Sequence, residues 1–250
     1  MSADAQGFEV LAEDHGNVRL LTLARPDKLN AFTPGGYRAL RTRLSDAAAA
    51  PDVAVCVLTG KGRAFSAGVD LNEMGRPDGK TELGAEFDPL LECLADFPKP
   101  LMAAVNGLAV GFGATLLLHC DIVIMDETAE VRLPFVTLGT AAEAGSSYLL
   151  PSRVGPQQAA WMMLSASTLT ADDAVANGFA LARSDAGRVL HDTLAMAQKM
   201  AVHGAIVLGA NKRLLREGCA ATIHETWRRE KATMLALAED LGTIGWRQDR

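Results

Sequence analysis

Short apolar runs, several of them β-branched and closed by glycine or asparagine, alternate with amphipathic stretches through the first 185 or so residues, and then the alternation stops. "VAVCVLTG" (53–60) and "PLMAAVNG" (100–107) are apolar on successive positions and too short for ordinary helices, so they read as buried strands. "DIVIMD" (121–126) is a third strand, after a short helix in "ATLLLHC" (114–120). Ahead of them, "FEVLA" (8–12) alternates apolar and polar, meets the turn composition "EDHGN", and continues as "VRLLTLAR", the pattern of a β-hairpin. "TPGGYRALRTRLSDAAAA" (33–50) predicts a helix capped by Thr33, with Pro34 in its first turn and Tyr37, Leu40, Leu44, Ala47 and Ala48 on one face. "GRAFSAGVDLNEMGRPDGKTELG" (62–84) reads as a functional loop running into a helix near "FDPLLECLADF". Beyond residue 185, "DAGRVLHDTLAMAQKMAVHG" and "NKRLLREGCAATIHETWRREKATMLALAEDLG" keep only the i, i+3/i+4 spacing of helices. The prediction is an α/β core over residues 1–185, then a helical region over 186–250 that does not fold by itself.

Bulk properties exclude several functions. A chain of 250 residues with 49% hydrophobic and 22% charged residues can bury a sizeable core. Its net charge of −6 argues against nucleic acid as the main partner, since phosphate binding needs a basic surface. Cys56, Cys93, Cys120 and Cys219 are widely spaced, without CxxC or Cys/His ligand patterns, and read as small core residues in a reducing compartment. The N-terminal "MSADAQGFEV" lacks the apolar centre of a signal peptide, and the run "GLAVGFGATLLL" is too short to span a membrane. A soluble, cytoplasmic protein without a metal or a separate cofactor is expected.

Familiar catalytic signatures are missing. "VGFGATL" offers a GxG after a strand-like run, but Leu116 stands where the third glycine of a dinucleotide loop belongs. His15, His119, His191, His203 and His224 show no pairing that suggests a metal or a catalytic triad, and structural roles are expected of them. One carboxylate is oddly placed. "LPFVTLGTAAEAGSSYLLP" (133–151) holds a single acid, Glu143, between alanines and beside Gly145, where a solvated surface acid would have polar neighbours.

Four segments together resemble the crotonase (enoyl-CoA hydratase/isomerase) superfamily: "LARPDKLNAF" (23–32), "VLTGKGRAFSAGVDLNEM" (57–74), "KPLMAAVNGLAVGFGATLLLHCDI" (99–122) and "LPFVTLGTAAEAGSSYLLPSRVG" (133–155). They stand in that family's order and spacing, and the likeness covers nearly the whole chain. It implies a spiral of ββα units forming two roughly perpendicular sheets, followed by helices that pack between subunits of a trimer or hexamer. The apolar residues Leu214, Leu215, Met234, Leu235 and Leu237 suit that role. It further implies an acyl-CoA thioester substrate, CoA being part of the substrate, whose carbonyl oxygen sits between the amides of Val69 and Phe112. Ala67, Asp70 and Leu71 match positions lining the CoA moiety, and Lys28 matches a place where a lysine can meet its phosphates or simply remain solvated. Asp121 matches a structural position, and Ser146 and Ser147 are expected to support the Glu143 loop.

The departures narrow the reaction. The hydratases of this family carry two glutamates, at positions where this chain has Thr115 and Phe135, and neither residue can act as a general base. "LGTAAEAGSSY" is similar instead to the peroxisomal-type Δ3,Δ2-enoyl-CoA isomerases, whose catalytic glutamate matches Glu143, although they often place proline where Ala142 stands. Such a reaction needs one carboxylate to take a proton at C2 and return it at C4, and apolar surroundings would raise its basicity. Isomerisation of an unsaturated acyl-CoA is therefore the expected activity. Another reaction of the family (hydration, thioester hydrolysis or decarboxylation) and a binding module without turnover remain the alternatives.

Overall fold

The chain's first two strands, β1 (Glu9–His15) and β2 (Val18–Ala24), pair antiparallel as the predicted hairpin, with Glu9 opposite Ala24 and His15 opposite Val18. The computed structural model describes residues 7–76, 79–217 and 220–240. Residues 1–6, the last ten and Cys219 therefore lie outside the described residues. After the hairpin come α1 (Pro34–Ala49), β3 (Val55–Gly60), β4 (Ala64–Ser66), α2 (Leu71–Met74), α3 (Gly79–Ala95), β5 (Leu101–Val105), β6 (Leu108–Val110) and α4 (Phe112–Leu118). They are followed by β7 (Ile122–Asp126), β8 (Glu130–Arg132), α5 (Ser146–Val154), α6 (Pro156–Ser165), β9 (Thr168–Thr170), α7 (Ala171–Ala176) and β10 (Ala182–Ser184). Three helices close the described chain: α8 (Val189–Ala201), α9 (Ala205–Glu217) and α10 (Ala220–Asp240).

The strands divide into a six-stranded sheet, in the order β1-β2-β3-β5-β7-β10, and a four-stranded sheet, β4-β6-β8-β9. From β2 onward the large sheet is parallel, and β4, β6 and β8 are parallel to one another in the small one. The chain thus lays a strand in the large sheet, the next in the small sheet, then a helix, and repeats. That is the predicted spiral of ββα units.

Strict alternation between two buried faces explains why the inner strands β3, β5 and β7 are apolar at nearly every position, whereas the edge strand β1 is largely polar and exposed. Leu21, Leu23, Cys56, Leu58, Leu101, Ala103 and Val105 face the main core, while Val18, Leu20, Val55, Val57, Met102 and Ala104 face a second cluster covered by Val189, Ala197 and Ala201 of α8. A parallel sheet buried on both faces needs no polar positions. Cys56 and Cys120 are buried and Cys93 is half-buried, all three as free thiols. Thr33 caps α1 as expected, its side chain accepting the Gly36 N–H at 3.0 Å, and Tyr37, Leu40, Leu44 and Ala47 form the buried face. In contrast to its reading as loop, the stretch after residue 79 is already the first turns of α3. Among the described residues, no helix is long and apolar enough to cross a membrane.

Candidate active site

The segment 67–70 is stitched along residues 29–32. Ala67 N–H donates to Leu29 O at 2.9 Å, Phe32 N–H to Gly68 O at 2.7 Å and Asp70 N–H to Phe32 O at 2.8 Å. This one-residue bridge between Phe32 and Val69 turns the Val69 amide away from Phe32. Asn30 fastens the chain that leads into this segment, its side-chain amide donating to the carbonyls of Ala64 at 2.9 Å and Lys61 at 3.0 Å. Ser66 adds a bond from its hydroxyl to Asn30 O at 2.8 Å and accepts from Gly68 N–H at 3.1 Å. Asp70 closes the segment, pairing with Arg25 at 2.7 Å and capping α2 by accepting from Asn72 N–H at 3.0 Å. That capping and pairing hold the Asp70 carboxyl below its ordinary range against the opposing effect of burial.

Gly68 brings the second segment close. It sits at φ +85°, and a Cβ there would stand 2.6 Å from Val110 O and 3.2 Å from Phe112 N. Only glycine lets the two backbones meet in this way. Phe112 is the first residue of α4, so its N–H has no carbonyl within the helix to bond. Among the described residues, no backbone carbonyl accepts from the N–H of Val69 or of Phe112. The Phe112 ring is anchored edge-on against Phe32, Tyr37 and Phe87, with centroids 5.0, 5.2 and 5.2 Å away. Aromatic contacts of that geometry fix the backbone that carries the amide.

Glu143 lies on the turn that enters α5. Ala144 and Gly145 both adopt left-handed backbone, at φ +57° and +73°, so the chain reverses sharply behind the acid. Left-handed backbone at alanine costs about 1–2 kcal/mol and persists because neighbours hold it. His119 Nε2 bonds Ala144 O at 2.8 Å, Ser146 N–H donates to Glu143 O at 2.9 Å, and Glu230 of α10 accepts from the amides of Gly145 and Ser147, each at 2.7 Å. Burial pushes His119 down to about 4, so its neutral ring donates Nε2–H to that carbonyl. The turn therefore points the half-buried Glu143 side chain into a cleft, with Thr115 Oγ1 donating weakly at 3.4 Å. Burial and then the nearby Glu230 raise the Glu143 carboxyl from 4.5 to about 7, against the smaller opposing effect of Thr115.

A cavity of about 270 Å³ brings the pieces together, lined by Ala67, Val69, Leu71, Phe112, Phe135 and Glu143 among others. Glu143 is the one ionisable side chain among the described residues lining it. A second cavity of about 310 Å³ shares Val69 and Glu143 with the first and extends between Tyr37, Leu83, Phe87, Trp227 and Leu235. Glu143 stands at the junction. Of the other residues singled out in the sequence, Ala67 and Leu71 line the first cavity, the Asp70 side chain is engaged by Arg25 and Asn72, and Lys28 is exposed on a 3-10 turn away from it. Met234 lines both cavities and the largely exposed Leu235 lines the second, whereas Leu214 and Leu215 are exposed on α9 and line neither. No group of His, Cys, Asp and Glu side chains suited to a metal ion occurs among the described residues.

Sequence reasoning passes over Asn30, Arg25 and Glu230. Asn30 and Arg25 act on backbone carbonyls that no side-chain pattern reveals. Glu230 did leave a signal: it falls in the stripe Ile223, Trp227, Glu230, Met234, an acid on the inward face of a helix.

A chain that winds alternately through two sheets, and presents free amides and a tuned carboxylate on one cleft, is an acyl-CoA enzyme of the crotonase superfamily. The chain belongs to the enoyl-CoA hydratase/isomerase family, which it matches over residues 13–239. It is similar to the 2,3-dehydroadipyl-CoA hydratase of Escherichia coli (strain K12), at 37% identity over 234 residues, 93% of this chain and 92% of that one. It is also similar to the 1,2-epoxyphenylacetyl-CoA isomerase of the same bacterium, at 36% identity over 171 residues, 66% of this chain and 65% of the other. Among solved structures, the enoyl-CoA hydratase/isomerase from Pseudoalteromonas atlantica T6c superposes with a TM-score of 0.86 at 29% identity, over 92% of this chain and 91% of that one.

Proposed function

We propose that the protein moves a double bond within an unsaturated acyl-CoA, from the Δ3 to the Δ2 position, with Glu143 as the single proton-transfer group. The thioester oxygen accepts from the amides of Val69 and Phe112. Glu143 takes the C2 proton, the electron pair delocalises into a dienolate whose oxygen those amides stabilise, and the same carboxyl returns the proton at C4. Charge grows on the oxygen only as the C2–H bond breaks, so these donors favour the transition state over the bound substrate. Each such donor is worth on the order of 10²–10³ in rate. The observation that carries this reading is the shared cavity: Val69, Phe112 and Glu143 line one space, with the carboxyl raised to about 7. A base of that strength is about half ionised at neutral pH, enough to take the C2 proton and still return it.

The second cavity suits the acyl chain, and Ala67 and Leu71 suit the pantetheine arm of CoA. Lys28, exposed on its 3-10 turn outside the cavity, is a candidate partner for the CoA phosphates. Hydration, the activity named for several relatives, has a specific point in its favour, since Glu230 is a second acid on the chain cavity. Both its oxygens already accept backbone amides, and Thr115 and Phe135 supply no base to hold a water. We further propose that the exposed apolar residues of α9, Ile206, Leu214 and Leu215, are covered by neighbouring copies in a trimer or hexamer.

The two chemistries separate when trans-3-hexenoyl-CoA and trans-2-hexenoyl-CoA are incubated in parallel with the enzyme. The expected outcome is 2-enoyl-CoA from the first and no 3-hydroxyacyl-CoA from the second. Formation of 3-hydroxyacyl-CoA at a comparable rate would overturn the assignment, and an absence of turnover with both would leave only a binding module.

A further inference from the structure

Glu230 is the one charged side chain buried on the described inward face of α10, only 5% exposed, with the uncharged Thr226 the other buried polar residue there. A buried acid is not there for packing. Each of its oxygens takes a backbone amide, Oε2 from Gly145 and Oε1 from Ser147, both at 2.7 Å. These amides open α5, whose N-cap is Gly145 and so has no side chain of its own to satisfy them. The cap comes from a helix 83 or more residues later in the chain. The turn it holds is the one with consecutive left-handed residues, Ala144 and Gly145, directly after Glu143. Ile223, a helical neighbour of Glu230 on the same face, stands 3.3 Å from where a Gly145 Cβ would be, so α10 leaves no room for the turn to relax outward.

From this geometry we infer that Glu230 is a positioning residue for proton transfer: it clamps the turn that aims Glu143 into the cleft and places a fixed negative charge behind that carboxylate. The inference rests on Glu143 being the proton-transfer group. It assigns the C-terminal helix a part in the chemistry, beyond lining the acyl cavity.

The other groups around Glu143 do not supply that charge. Tyr37 of α1 is a buried phenol held neutral, its pKa raised well above the ordinary value first by burial and then by Glu143 itself. Thr115 of α4 is uncharged, and the buried His119 is neutral with its pKa pushed to about 4. Lys231 on α10 is paired with Asp88 of α3 at the wall of the chain cavity. Glu230 is the charged neighbour that favours the protonated form of Glu143, second only to burial.

The test compares Glu143→Gln, Glu230→Gln and Glu230→Asp in the full-length enzyme, following kcat/KM for trans-3-hexenoyl-CoA against pH. Glutamine at 230 turns an NH2 group toward one of the two amides and removes the charge. Its acidic limb is expected to move to lower pH by about one pH unit, and its plateau rate to fall roughly 10–100-fold as the turn loosens. Aspartate keeps the charge with a shorter reach, so its limb should remain where the wild-type limb lies while its plateau falls. A merely structural residue would lower the plateau in both variants without separating the limbs. Wild-type limb and plateau in Glu230→Gln, with Glu143→Gln inactive, would overturn the role of Glu230 alone. Turnover retained by Glu143→Gln would overturn the parent assignment instead. Should Glu230→Gln fail to fold, Glu230→Asn takes its place beside Glu230→Asp: a wild-type plateau in Glu230→Asp contradicts the clamp, limbs that coincide in the two variants contradict the charge, and a fallen plateau in both with the acidic limb lowered only in Glu230→Asn supports the inference.

Discussion

Glu143 is held in a place that resists its ionisation, and two consequences follow. Since the base must be unprotonated to take the C2 proton, kcat/KM is expected to rise with pH up to about 7 and then level. A pH–rate profile flat between 5 and 9 would contradict this. The second consequence concerns stability. The folded protein raises this carboxyl from 4.5 to about 7, so its favourable contribution is fully present below the lower value and is lost as pH rises through the upper one. At about 1.4 kcal/mol per pH unit, the ionised acid withdraws about 3 kcal/mol. Glu143→Gln is therefore expected to match the wild-type Tm near pH 4.5 and exceed it near pH 8, measured by calorimetry. Equal Tm values at both would contradict the raised carboxyl. The acid itself stood out in the sequence because its neighbours are small and apolar. What holds it did not, because His119 and Glu230 act on backbone groups of residues far away in the chain.

At the scale of elements, the approach of segment 67–70 to the start of α4 depends on one missing side chain. Gly68→Ala would place a Cβ 2.6 Å from Val110 O, on a backbone at φ +85° that alanine resists. The expected result is a fall in kcat/KM on the order of 10²-fold or more, with the loss mainly in kcat. A fall confined to KM would show that the two amides bind substrate without stabilising charge. The chain cavity between α3 and α10 makes a different demand. It faces Asp88, Glu143 and Glu230 against a single lysine, Lys231, already paired with Asp88. An enoyl-CoA ending in a free carboxylate is thus expected to react at least roughly tenfold less well than the uncharged chain of the same length, since that charge would be desolvated without a partner. Equal kcat/KM for the pair would contradict an apolar acyl site. The long elements were legible from the sequence: β3 and β5 from unbroken apolar runs, α1 from its cap and stripe. The small sheet was not, because strands of three residues such as β4, β6 and β8 are too short to show any period. The early turns of α3 were hidden by glycine and polar residues that favour loops when read locally.

The whole molecule joins a spiral core to helices that serve different ends. α8 covers the reverse of the large sheet, α10 turns back to complete the cleft, and α9 leaves Ile206, Leu214 and Leu215 in solvent. Multi-angle light scattering is expected to give three or six times the 26.4 kDa chain mass. A monomer at micromolar concentration would mean that those residues are covered by something other than a second copy. The central claim is an arrangement in space, and a crystal structure of the Glu143→Gln enzyme with bound trans-3-hexenoyl-CoA tests it most directly. The thioester oxygen should lie about 2.7–3.1 Å from the amide nitrogens of Val69 and Phe112, with the residue 143 side chain over C2 and C4. A thioester oxygen remote from those amides, or residue 143 turned to bulk water, would contradict it.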